Sequence, residues 1–503
     1  MNARDRWKAG IAVASCLMLV AACGSQVDPK DFVGAQGLVA GNGNGNGTGT
    51  GTGNGTGTGT GSGNGTGTAL GTGTGSGTGT GSGSGTGSGS GTGSGSGTGS
   101  GNGSGSNGGN AVQGVKPGSC AGFKNGKGIT NSTITIANVA DLSGPVPGLF
   151  KSAQNAVTAY VAYFNATSSI CGRKLKLEGL DSQTSESGDQ QAATSACGSA
   201  FAMVGSMGAF DAGGADTVTH CGIPDLRAAS TETARQRSPE VFGAYGLNSN
   251  EIPTTAFSYF KKAGGDAYKH AAFVYLNAGA STLNAQDFIA AEKKMGYNFV
   301  YTQAINVAGG LIPYDSYATK MASAGVKYVQ YIGAANPYAQ QLKQAINNEA
   351  QNNSSFHPMF VMDPTGYDNS YTSAGSATDG TYSFVPAPLY LSNSEIAKNP
   401  ELSNYVSWLG RTSGGAPTFF GTYAWTAAAL FTQLAVQLGG KLTRASLIAA
   451  LNNVHNYTNN KMVPPQDVGG ENTPTCMSIV QRVSGNWVRK TPYPYSCGSL
   501  VKV

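Results

Sequence analysis

From residue 41 to residue 110 glycine alternates with threonine, serine or asparagine, with hardly an apolar side chain among them. Such a stretch has nothing to bury and cannot contribute to a core. Its period of two excludes a collagen helix, which needs glycine at every third position. A flexible coil of this length and composition has a root-mean-square span of about 45 Å, so residues 41–118 read as a disordered spacer. Asn46, Asn54 and Asn64 each open an Asn-Gly-Thr triplet, but composition alone generates those. The Gly-x-Ser-x-Gly matches here lack the strand and helix of a hydrolase elbow. Folding is thereby confined to residues 119–503, too many for one ordinary core, and two lobes are expected.

Ahead of the spacer, Arg4, Arg6 and Lys8 lead into an apolar run over residues 9–20 that closes on Val20-Ala21-Ala22-Cys23. The run is shorter than the roughly 20 residues a membrane span needs. It reads as an export signal over residues 1–22 with a lipobox, Cys23 being diacylated at the head of a segment 23–40. Two acyl chains suffice for stable anchoring, so a cell-surface or periplasmic protein tethered to the membrane is expected. The formal net charge is +5, without a basic run long enough to suggest nucleic acid.

Besides Cys16 and Cys23 six cysteines remain: Cys120, Cys171, Cys197, Cys221, Cys476 and Cys497. An even number in an exported chain reads as disulfides, and six allow fifteen complete pairings. The histidines His220, His270, His357 and His455 are scattered and no Cys-x-x-Cys occurs, so neither metal nor cofactor is expected. No nucleophile and base stand out either, which argues against an enzyme.

Along the folded part, strands and helices alternate. Strands are expected at 134–139, 175–180, 203–205 and 223–226, with helices at 150–164, 190–201 and a third closing at 218–221. Ala153, Val157, Val161 and Phe164 mark one helical face. The pattern then restarts, with strands at 271–276, 299–305, 326–332 and 359–362 and helices at 284–295, 314–324 and 337–350. Helices at 402–409, 423–438 and 446–454 and a hairpin over 476–480 and 487–489 complete the chain. This alternation predicts an α/β fold of two doubly wound parallel-sheet lobes. The first spans about 119–250 and the second about 251–380, the remainder contributing to both. Ligands of such sheets bind outside the carboxyl ends of the strands, so two facing lobes would close on a solute.

The order and spacing of several segments carry a resemblance. They are Leu142-Ser143-Gly144-Pro145 after the first strand, Cys171-Gly172-Arg173-Lys174-Leu175, the loop 203–208, Ile223-Pro224 with Ala228-Ala229-Ser230-Thr231, and Tyr245-Gly246-Leu247-Asn248. Together they resemble the branched-chain amino-acid binding proteins of ABC importers, which are type I periplasmic binding proteins. The resemblance implies a non-catalytic clamp joined by crossover strands that hands a small polar solute (amino acid, amide or small carboxylate) to ABC permease subunits. A surface lipoprotein that senses a ligand with the same clamp, without transport, is the alternative. The implied topology pairs Cys120 with Cys171, Cys197 with Cys221, and Cys476 with Cys497.

The resemblance also proposes a ligand set. Gly208, Ala209, Phe210, Ser230 and Thr231 match the positions that hold a carboxylate or carbonyl oxygen, and Ser143 is a further ligand-binding candidate. Phe150, Asn336 and Tyr367 are expected to line the cleft. Asn248 stands where the family has an aspartate, and Thr365 where a glutamate is expected, with Asp363 two residues away as a substitute. Ala280 and Ser281 replace an aromatic-glycine pair. An ammonium group buried without acids is costly, so a neutral or anionic solute is expected and leucine should bind weakly.

Overall fold

The computed structural model describes residues 115–306, 310–334 and 336–503. The expected signal, Cys23 and nearly all of the spacer lie outside them. Two sheets organise the rest. The first contains β1 (Thr133–Ala140), β2 (Lys174–Asp181), β3 (Ala202–Val204), β4 (Asp225–Arg227) and β5 (Val241–Gly243), in the order β2-β1-β3-β4-β5 and parallel throughout. After β6 (Glu251–Pro253) the order is repeated by β7 (Ala271–Leu276), β8 (Phe299–Ile305), β9 (Tyr328–Ile332), β10 (Met359–Met362) and β11 (Tyr382–Val385). These run β8-β7-β9-β10-β11, again parallel. All five residues of the central β9 are buried, as a parallel strand covered on both faces requires.

The second sheet is mixed, which the strand-helix alternation did not anticipate. β12 (Cys476–Val483) adds antiparallel to β11, and β13 (Asn486–Arg489) forms the expected hairpin with it. The chain re-enters this lobe along residues 452–475, so no crossover helix is needed, and the addition covers an edge that would otherwise be open. β14 (Ser496–Cys497) pairs with β12, and β15 (Leu500–Lys502) pairs antiparallel with β6. The chain passes between the lobes three times, at residues 244–250, 386–399 and 452–475.

Helices complete each core. Lys151–Thr167 buries Ala153, Ala156, Val157, Tyr160 and Phe164, a stripe at helical spacing. Helix Phe419–Leu438 is apolar nearly all round and correspondingly buried. It starts at Thr418, whose side chain accepts the Gly421 N–H at 3.0 Å. It lies against Lys151–Thr167 so closely that Gly205 cannot carry a side chain: a Cβ there would sit 2.5 Å from Val157 Cγ2 and 3.1 Å from the Ala424 carbonyl, and φ is +67°. The observed helix Glu186–Ser199 begins four residues before the expected one because Ser185 caps it, accepting the Gly188 N–H at 3.1 Å.

Under the first sheet, five charged side chains are almost fully buried. Arg227 bonds Asp225 (3.1 Å) and faces Asp211 (3.4 Å), while Arg235 bonds Asp225 (2.7 Å) and approaches Asp189 (3.5 Å). Burial, only partly offset by the arginines, pushes Asp189 up to about 6. Disulfides join Cys120 to Cys171, Cys197 to Cys221 and Cys476 to Cys497, the pairing that the resemblance implies.

Candidate functional site

A sheet of order 2-1-3-4-5 has its switch point between its first and third strands, where the flanking loops part and leave a crevice. In the first lobe those loops are residues 141–150 and 205–210; in the second they are 277–279 and the residues 333 and 334 that follow β9. The two crevices meet. Ala280 donates its N–H to the Ala209 carbonyl at 3.3 Å, and a Cβ on Gly279 (φ +50°) would lie 2.9 Å from that oxygen and 3.3 Å from the Phe210 ring. A side chain larger than glycine's at position 279 would hold the lobes apart.

On the first-lobe side, many polar groups are committed internally. Asp141, at the end of β1, accepts the Ala209 N–H (2.9 Å) and the Ser182 hydroxyl (2.5 Å), and burial raises its carboxyl above the ordinary range. Asp211 accepts the N–H groups of Thr231 and Glu232, each at 2.9 Å, and the Thr231 hydroxyl donates to the Gly208 carbonyl at 2.8 Å. Ser143 is exposed and donates to Asp181 at 2.5 Å. Phe150 is buried edge-on to Phe420, centroids 5.1 Å apart. Phe420 continues through Phe419 to Tyr245 and Tyr423, an aromatic wall beside the crossover. Of this set only Ser230 keeps a buried hydroxyl without a partner among the described residues.

Across the crevice, Asp363 caps the turn 364–366. It accepts the Gly333 N–H at 3.1 Å and both the N–H (3.0 Å) and the hydroxyl of Thr365. Burial raises it, and its charge in turn adds to the upward shift that burial imposes on Tyr245 in the opposite lobe. Asn336 donates to the Thr365 carbonyl (3.2 Å) and the Ser370 hydroxyl (2.8 Å), leaving its side-chain oxygen buried and unpaired. Tyr367, expected in the cleft, instead packs as core between Tyr390 and Trp487 and accepts the Leu391 N–H. Asn248 holds the crossover: its backbone N–H and carbonyl both bond the Thr473 hydroxyl, at 2.9 and 3.1 Å, and its side-chain oxygen accepts the Asn250 N–H at 3.1 Å. Asp141, Asp211, Tyr245 and Phe420 carry site geometry that the sequence reading did not single out.

The sequence profile described as periplasmic binding protein matches residues 133–486, most of the chain and nearly all of both sheets. The chain belongs to the periplasmic binding protein family. Solved structures of this family share its fold. The branched-chain amino acid transporter substrate binding protein LivJ from Streptococcus pneumoniae, in complex with isoleucine, has a TM-score of 0.57 at 14% identity, covering 74% of this chain and 100% of that one. A fatty acid ABC transporter substrate-binding protein from Thermomonospora curvata has 0.60 at 15%, covering 76% and 95%. A solute binding protein from R. palustris in complex with benzoate has 0.58 at 17%, covering 73% and 97%. No curated protein matches the sequence. These periplasmic binding proteins are solute-binding proteins and not enzymes, and family membership indicates an extracytoplasmic location. Among the described residues no helix is long and apolar enough to cross a membrane.

Proposed function

We propose that this chain is the extracytoplasmic substrate-binding lipoprotein of an ABC importer, anchored through Cys23 and taking a small polar solute between its two lobes. The observation that carries the reading is the meeting of the two switch-point crevices at Ala209 and Ala280. A solute seated there touches both sheets and favours closure over opening. Family membership and the solute complexes of its structural relatives support the same reading.

The test is a melting screen of the purified full chain against amino acids, amides, polyols and aromatic acids, followed by calorimetry. A ligand at 100 times its dissociation constant stabilises by about 2.7 kcal/mol. For about 390 cooperatively unfolding residues that raises the melting temperature by about 3 °C. A screen in which no compound moves the transition by as much as about 1 °C refutes solute capture. The anchor is tested separately: Cys23→Ser should abolish partition into detergent, and a variant that still partitions like wild type removes the lipoprotein reading.

A further inference from the structure

The amino-terminal ends of β1, β2 and β3 lie on the face of the first lobe opposite its crevice, and the folded part of the chain begins there. Residues 115–131, 165–177, 196–203 and 436–446 make this face, and together they carry eight basic side chains and no aspartate or glutamate. The sequence as a whole is close to balanced, 31 basic residues against 26 acidic, so charge is segregated here. Two of the eight are committed internally. Arg173 donates to the Thr130 carbonyl (2.6 Å) and the Asn125 side chain (3.2 Å) and lies over the Phe123 ring. Arg444 donates to the carbonyls of Ala200 (2.7 Å), Phe201 (3.0 Å) and Cys221 (3.0 Å). The six lysines, Lys116, Lys124, Lys127, Lys174, Lys176 and Lys441, are exposed. Lys174 donates to the carbonyls of Asn165 and Ser168; the other five have neither a side-chain hydrogen bond nor an ion pair among the described residues.

The lysines stand on a fixed frame. The disulfide from Cys120 to Cys171 and the two bonds of Arg173 hold the loop that presents Lys124 and Lys127 against the start of β2. Gly118 donates its N–H to the Val436 carbonyl at 2.9 Å and Gly440 donates to the Ser119 carbonyl at 2.7 Å, which brings Lys116 and Lys441 to the two sides of one contact. Charges on a backbone already held in place lose less freedom on docking than charges on a mobile loop. The spacer expected from the sequence also joins the folded part at this face, so the tether is rooted among the lysines.

We infer that this face docks on the anionic phospholipid headgroups of the membrane in which Cys23 is anchored. The inference rests on the lipoprotein reading above. Each lysine at an anionic surface contributes roughly fivefold in affinity. A tether with a span of about 45 Å holds the face at an effective concentration on the order of millimolar, so contacts too weak to join free partners suffice. The attraction fades within about 8 Å at physiological ionic strength, which keeps the contact reversible. The eight residues of β1 separate the face from the crevice by about 26 Å at the rise of a parallel strand. A docked molecule therefore holds its crevice clear of the bilayer, open to solute, and has to leave the surface before the crevice can meet a permease embedded in it.

The experiment is lysine acetylation footprinting, read by mass spectrometry, of the purified full chain with its anchor in vesicles of phosphatidylcholine alone and of phosphatidylcholine mixed with phosphatidylglycerol. Lys116, Lys124, Lys127 and Lys441 are expected to react at least about 3-fold more slowly on the anionic vesicles at low salt, and equally on both at high salt. Lys262, Lys293 and Lys320, exposed on the second lobe, should react alike throughout. Equal reactivity of the face lysines on the two vesicle types overturns the dock, and so does protection that spreads equally to the second-lobe lysines; neither comparison needs a variant to fold. If free polyphosphate protects the same lysines more strongly than the anionic vesicles do, the face belongs to an anionic polymer and the lipid assignment falls. Flotation with the neutral vesicles reports the anchor separately. A chain that does not float removes the lipoprotein reading, and the footprint with phosphatidylglycerol vesicles added from outside then decides the lipid-binding face alone, protection supporting it and equal reactivity refuting it.

Discussion

Replacing Arg235 by methionine keeps the aliphatic bulk and removes the charge from the buried cluster under the first sheet. Two arginines now face three aspartates there, one excess negative charge; the variant leaves one arginine and two excess. Asp225 loses its bonds to Arg235 at 2.7 and 3.1 Å but keeps Arg227 at 3.1 Å, while Asp189 loses the arginine nearest to it. Orphaning one side of a buried ion pair costs about 3–5 kcal/mol, which for a cooperative unit of about 390 residues lowers the melting temperature by about 4–6 °C. The loss should depend on pH with a definite sign. Asp189 titrates at about 6 in the folded protein, above the ordinary 3.8, so the stability its protonated form contributes falls as pH rises through that interval. Without Arg235 its carboxyl is pushed higher still, and the penalty continues to grow above pH 6. Circular-dichroism melts of wild type and Arg235→Met from acid to mildly alkaline pH should therefore diverge as pH increases. An equal loss at both ends of the range refutes the electrostatic account, and a loss below about 1 °C throughout would mean that the cluster contributes nothing.

Gly205→Ala should destabilise by at least about 2 kcal/mol, because the new methyl meets Val157 and the Ala424 carbonyl while the backbone is left-handed; urea titration reads this directly. Glu292 is fully buried in the second lobe and raised far above its ordinary value by burial. Glu292→Gln should accordingly match wild type at acid pH and melt progressively higher than wild type as pH rises from the ordinary glutamate range to the raised folded value, a difference that thermal scans across pH detect. Paired replacement of Cys120 and Cys171 by serine opens a 51-residue separation and should cost about 4 kcal/mol. Reductant should then have a smaller effect on the variant's melting than on wild type's.

Periodicity made the strands and helices legible, because alternating buried strands and amphipathic helices leave a local signature. Strand β7 and strand β10 fall on the expected boundaries, and the first sheet and strands β7 to β11 of the second are parallel as expected. The antiparallel attachment of β12 was less accessible, since a strand's direction depends on where the chain has come from rather than on its own residues. Site chemistry was harder to read for a related reason. Ser230 could be placed after β4 from its local context, but Gln466 and Thr473, which hold the crossover at Gly246 and Asn248, lie in a segment without helical or strand period and reach it only through tertiary contacts. Tyr367 looked like a cleft aromatic because it follows a strand end; Tyr390 and Trp487, which bury it, come from far along the chain. The buried Asp225 and Arg227 carried a faint signal, two opposite charges inside an otherwise apolar strand.

Helix Phe419–Leu438 has a bearing on the order of assembly. Its Trp425, Tyr423 and Phe431 belong to the same buried cluster as Ile134, Val157 and Leu226, and Thr432 meets the Tyr160 hydroxyl at 2.6 Å across 272 positions. A chain synthesised from its N-terminus therefore displays β1 to β5 with one apolar face uncovered until residue 438 has emerged. The five parallel strands of the second lobe are contiguous between residues 271 and 385 and can finish first. Closure of the first lobe is thus slowed by long-range contacts, even though its five strands are made first. In that interval its exposed surface is the part of the molecule most open to aggregation or to capture by a chaperone.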